Sequence, residues 1–233
     1  MRPKFSFQKT LGLLAVVLLA FALRLYQLDA PWLRWDEGWS IGLGSLSWRE
    51  IPRVAALEVH PPLFYLLLKP WLWLGRSSFA VRFFAVMAGV LLVPLGYAFA
   101  RRWSGRERVA WLGALYMAVA PLLVYYGQVA RMYPLCALFL LLSAYFLLRA
   151  LDTGRMSAYI AFVLSGTAAL YTFYYNAFVL LALLAYGLFV QSRAARVGHP
   201  TSGLKARPRR PGASLLSQWL PIALPGIAMA LLY

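Results

Sequence analysis

The chain has 233 residues, 62% of them hydrophobic and 13% charged, with 23 Lys and Arg against 7 Asp and Glu, a net charge of +16 and a single cysteine. Soluble domains are about 45–50% apolar, so a soluble globule, a disordered tail and a disulfide-rich secreted module are excluded. Cys136 has no internal disulfide partner. The bases alternate with stretches too apolar for a solvated nucleic-acid face, so no nucleic acid is expected as a partner. An all-α, polytopic membrane protein remains, with its positive charge setting its orientation.

Six apolar stretches, at 10–27, 80–100, 109–126, 134–149, 157–173 and 177–190, are each expected to cross a hydrocarbon core that takes about 20 helical residues. A seventh, 215–233, carries Pro221 and Pro225, which membrane helices tolerate when neighbours satisfy the freed carbonyls. The N-terminus resembles a signal peptide in its basic start and small residues, but an uncleaved first span is expected. The run 61–74 opens on Pro61-Pro62 and is interrupted by Lys69-Pro70.

If 61–74 does not span and the N-terminus is cytoplasmic, fifteen bases and two acids fall inside, and eight bases and five acids outside. The balance is then +13 against +3, and every loop obeys the positive-inside rule. A spanning 61–74 would translocate the basic turn between Arg101 and Arg108, so it is read as interfacial or re-entrant. The segment 193–214 reads as a basic cytoplasmic linker held near anionic headgroups. The expected home is the plasma (inner) membrane, crossed several times.

Five of the seven acids lie between Asp29 and Glu58, in the first outer loop (28–79), beside Trp32, Trp35, Trp39 and Trp48. Tryptophan suits the headgroup level, and the mixed pattern of 45–58 suits a helix lying in the interface, bent or broken at Pro52. The adjacent carboxylates Asp36 and Glu37 have two readings. One is a general base whose pKa is raised by desolvation. The other is an N-cap at Asp36 with Glu37 favoured by the helix dipole.

Four segments in this order carry a resemblance: LRLYQLDAPWLRWDEGWSIGLGSL (23–46), VHPPLFYLLLKPWLWLGRSSFAVRF (59–83), APLLVYYGQVARMYPL (120–135) and ALYTFYYNAF (169–178). Together with the topology they resemble the membrane glycosyltransferases of the GT-C fold. The closest likeness is to bacterial relatives of the dolichyl-phosphate-mannose protein mannosyltransferases and to the RgtA/B/C/D-like enzymes. The resemblance implies a sugar donor on a polyprenyl phosphate, used on the extracytoplasmic face with inversion, and a lipid, glycan or protein acceptor. It implies that Asp36 is the base or acceptor-organising acid, with Glu37 beside it. It places His60 on an HPP motif, and Arg131 and Tyr133 on a GQxARxY motif. Two positions depart from the pattern: Val129 stands where an acid is usual, and Phe173 where a histidine is usual. Members of the family are about twice this length, so the sequence is expected to be the N-terminal portion of one.

Glycosyl transfer needs a proton acceptor for the incoming nucleophile and fixed cations for the leaving phosphate. Arg131 is the expected phosphate ligand, because a guanidinium grips phosphate in a bidentate fork; the plainer reading is a snorkelling cation. Arg82 and Lys69 are weaker candidates. His60 reads as a surface imidazole, a substrate contact or a ligand of a divalent metal, with Asp36, Glu37 and Glu58 near it but without recognised ligand spacing. His199, in the linker, is incidental. Tyr174, within the cluster Tyr171, Tyr174, Tyr175 and Asn176, is either a sugar platform or part of an aromatic belt. Two other functions stay open. A transporter or lipid-handling protein would carry polar residues in mid-membrane, and these spans are nearly all apolar there. An inactive assembly partner would tolerate Val129 and Phe173.

Overall fold

The computed structural model describes residues 7–58 and 60–197, with side chains as far as Arg193, and all regular structure among them is helical. The ten helices are α1 (Phe7–Leu25), α2 (Trp35–Ser45), α3 (Glu50–Ala55), α4 (Leu63–Trp71), α5 (Ser78–Ser104), α6 (Glu107–Val119), α7 (Pro121–Gly127), α8 (Tyr133–Thr153), α9 (Met156–Thr172) and α10 (Asn176–Val197). The chain divides into two compact units, Met1–Leu138 and Phe139–Tyr233.

In the first unit, α1, α5 and α6 pack around small residues. Ala110, Ala114 and Ala118, one turn apart on α6, are fully buried with Ala20, Val93 and Tyr97. Gly96 and Gly113 let α5 and α6 approach until a Cβ on Gly113 would lie 3.0 Å from the Gly96 carbonyl oxygen. Small residues serve this purpose in membranes, where van der Waals contact drives helix association. At the end of this bundle remote from α2, Glu107 pairs with Lys9 at 3.1 Å and with Arg101, and accepts from the Tyr97 hydroxyl. The α5–α6 turn closes on Gly105, whose φ of 68° favours glycine.

Each of the six apolar stretches forms helix, and among the described residues these give four or five candidate spans. Four helices (α1, α5, α8 and α10) are long and apolar enough to cross a membrane, and α6 with α7 makes a fifth if the pair, bent by 49°, is one broken span. The break lies at Pro121, which has no N–H to continue the ladder. Helix α9 has 17 residues, about 25 Å at 1.5 Å per residue. It is confined between Gly154-Arg155 and the extended Phe173. The seventh stretch lies outside the described residues. Helix α4, at nine residues, is too short to span. The expected interfacial helix at 45–58 forms only over Glu50–Ala55, with Pro52 in its first turn. Helix α10 runs on to Val197, into the segment expected as linker; the rest of that linker is not among the described residues.

Candidate functional site

Helices α2 and α4 and the Gln128–Met132 segment meet within the first unit. Helix α2 begins at Trp35, with Arg34 as N-cap, so Asp36 and Glu37 both lie in its first turn. Glu37, three residues into the helix, reaches back to accept from the Arg34 N–H at 3.0 Å, an arrangement the helix dipole favours.

The two carboxylates then diverge. Glu37 is fully buried. It accepts from Arg82 Nε at 2.9 Å and Nη2 at 2.8 Å, and from the Ala130 N–H at 2.9 Å. Burial pushes its carboxyl up, but hydrogen bonds from Arg82, Ala130 and Arg34, with the Arg82 charge, outweigh it and hold the group below the ordinary carboxylate range. The elevation expected from desolvation is therefore reversed, and Glu37 stays ionised inside the protein. Arg82 uses all five N–H donors, the other three going to the Leu28, Pro31 and Trp32 carbonyls. It has no donor left for a phosphate.

Asp36 instead lines an open cavity of about 340 Å³ together with Trp35, Trp39, Glu58, His60 and Arg131. Its side chain is 36% exposed. Two guanidinium groups flank it, Arg34 Nε at 3.6 Å from Oδ1 and Arg131 Nε at 3.8 Å from Oδ2. Arg34 is itself held by Tyr125, to whose hydroxyl it donates at 2.7 Å. Arg131 is buried, and its Nη1 donates to the Asp36 carbonyl at 3.1 Å and to Ser40 Oγ at 3.2 Å. Its Nε–H has no hydrogen-bond partner. Burial raises the Tyr65 phenol while the adjacent Arg131, hydrogen-bonded to it, pulls the other way; the phenol remains above its ordinary range, so it is neutral.

The cavity thus brings together Asp36, His60 and Arg131 from the sequence expectation, and adds Glu58, Trp35 and Trp39. Tyr133 packs against Tyr126 in the same unit, the rings tilted by 51° with centroids 4.5 Å apart, but does not line the cavity. Lys69 donates to the Leu46 carbonyl and lies over the Trp48 ring, and it does not line the cavity. Tyr174 sits between α9 and α10 in the second unit. Among the described residues no three His, Cys, Asp or Glu side chains converge to hold a metal ion, His60 included. Sequence reasoning did not single out Arg34, Tyr65 or Ser40. For Arg34 the signal was present in its place two residues before Asp36; for Tyr65 and Ser40 only the fold supplies it.

Residues 59–204 match the family model for dolichyl-phosphate-mannose-protein mannosyltransferases. Nothing matches among the curated proteins or the solved structures. The matched region covers well over half of the sequence and includes His60, Arg82 and Arg131. The chain belongs to the dolichyl-phosphate-mannose-protein mannosyltransferase family of GT-C-type membrane glycosyltransferases.

Proposed function

We propose that this protein transfers a sugar from a polyprenyl-phosphate donor to a lipid, glycan or protein acceptor, with inversion, at the Asp36 cavity on the extracytoplasmic face. One observation carries the reading: a partly exposed carboxylate and a buried arginine with an unused N–H face each other across 3.8 Å in one cavity. Asp36 takes the proton from the acceptor O–H or N–H as the nucleophile attacks the anomeric carbon. The bond from that carbon to the phosphate oxygen breaks on the opposite face, and the polyprenyl phosphate leaves as a monoester. Arg131, fixed by Ser40, Tyr65 and the Asp36 carbonyl, stabilises the charge developing on that phosphate through its Nε–H. Arg34 offers a second, more exposed cation. Trp35 and Trp39 supply faces on which a sugar ring stacks, and His60 and Glu58 contact the substrate. Glu37 does not touch substrate in this scheme; it fixes the turn that presents Asp36. The charge balance between loops supports the extracytoplasmic placement and an N-terminus in the cytoplasm.

The test is transfer by the full-length protein in liposomes supplied with polyprenyl-phosphate sugars and acceptors, reading polyprenyl phosphate release and the anomeric configuration of the product. Stoichiometric release with inverted product is expected. Retained configuration overturns the single-displacement scheme. Movement of the glycolipid across the bilayer without transfer establishes a transporter. No turnover, with a partner enzyme that fails in the protein's absence, establishes an assembly partner.

A further inference from the structure

Arg24 lies in the last turn of α1 and is completely buried. Among the described residues no carboxylate pairs with it; its partners are backbone carbonyls. Nη2 donates to Met117 O at 2.8 Å, and Nη1 to Ala118 O at 3.0 Å and Ala20 O at 3.1 Å. Met117 is four residues before Pro121, so its carbonyl is the one whose helical donor the proline removes. A carbonyl left bare in a membrane protein costs several kcal/mol, and the guanidinium replaces the missing N–H. Its charge also sits against the C-terminal, negative end of the α6 dipole.

The fit around this cation is close. A Cβ on Gly89 or Gly127 would fall 2.8 Å or 2.9 Å from Arg24 Nε. The residue after Gly127 completes the tie to α1, since Gln128 Nε2 donates to Tyr26 O at 2.8 Å. Two residues further on, the Ala130 N–H meets Glu37, and Arg131 follows at the cavity.

We propose that Arg24 is a positioning residue for sugar transfer: by capping the carbonyls opened at Pro121 it sets the α6–α7 bend, and so places Ala130 against Glu37 and Arg131 beside Asp36. This rests on the reading of Asp36 and Arg131 as the transfer site. A misplacement of 1 Å can lower turnover about a hundredfold without loss of the fold, and the arginine acts through α7 and the Gln128–Met132 segment without touching substrate.

The test compares full-length wild type, Arg24→Lys, Arg24→Gln and Gly127→Ala in lipid nanodiscs, with the core variant Val93→Ala as a measure of general loosening. Amide hydrogen exchange across Gln128–Met132 is read alongside kcat and KM for a polyprenyl-phosphate sugar. The expected result is exchange at Ala130 raised at least tenfold in Arg24→Gln, with α5 retaining wild-type protection. Turnover falls at least tenfold, through kcat more than KM, and Arg24→Lys lies between. Gly127→Ala, which pushes on the guanidinium without removing it, shows the same pattern more weakly, and decides the matter if the Arg24 variants do not fold. Uniform loosening of α5, α6 and the 128–132 segment, as in Val93→Ala, overturns the proposal, as does unchanged exchange at Ala130. If wild type transfers no sugar, the transfer reading fails, while the exchange data still decide whether Arg24 holds the segment.

Discussion

Replacing Glu37 by Gln keeps the side-chain volume and removes one buried charge. Wild-type Glu37 makes four hydrogen bonds, two of them to the Arg82 guanidinium at 2.8–2.9 Å. In the variant one accepting oxygen becomes an NH2 that faces Arg82 or the Ala130 or Arg34 N–H, donor against donor. Breaking a buried ion pair by removing one partner costs about 3–5 kcal/mol, whereas an exposed pair is worth about 0–1 kcal/mol. The complete burial of Glu37 selects the first figure. The three carbonyls that still hold Arg82 keep the expected loss toward its lower end. A loss of about 3 kcal/mol lowers the melting temperature of a chain of this size by about 6–12 °C, and that of a longer protein by less. Fluorescence-detected melting of purified full-length protein in one detergent measures it, with Arg82→Met and the double variant completing a cycle. The double variant is expected to be less destabilised than the sum of the two singles. A Glu37→Gln loss under about 1 kcal/mol, or strict additivity, would refute the view that this pair anchors the turn bearing Asp36.

The same pair gives a pH dependence. Because the folded-state value of Glu37 lies below the ordinary 4.5, its contribution is complete above that pH and is lost as pH falls through the lower folded value. Wild type is expected to lose its stability advantage over Glu37→Gln on acidification below about pH 4.5; equal acid sensitivity in the two would contradict the ion pair. At the cavity, Arg131→Lys retains the charge but loses the fork. Transfer is expected to fall by about tenfold to a hundredfold, the worth of about one hydrogen bond to a charged group; an unchanged rate would remove Arg131 from the phosphate role.

The membrane architecture was legible because apolar runs of about 20 residues have few other uses. Local punctuation in the sequence accounts for where it departs from expectation. Pro121 splits the stretch 109–126 at the carbonyl it leaves bare, and a hydropathy pattern does not register a missing N–H. Pro52 falls in the first turn of α3, where its missing N–H has no helical acceptor to lose, and Pro70 lies in the last turn of α4. At the site, the asymmetry of the acids pointed to Asp36 and Glu37 but not to the division between them. That division comes from Arg82, 45 residues away in the chain and brought by α5 to the first turn of α2. Arg82 read as a free cation near the outer end of a span, when its five donors are all taken inside the protein. Arg24 entered the charge balance only as one of eight outer bases, because its burial depends on Gly89 and Gly127 lying across from it. Periodicity reports which face is apolar; it does not report which charged group closes which gap.

The central claim is that Asp36 accepts the proton in sugar transfer while its neighbour Glu37 supports the structure. Single-turnover transfer by Asp36→Asn in liposomes, with melting temperature and donor binding recorded on the same preparation, tests it most directly. The account predicts a rate lower by about 10²–10⁴-fold, the usual contribution of a general base, in a protein that melts and binds donor like wild type. Transfer at the wild-type rate would contradict it.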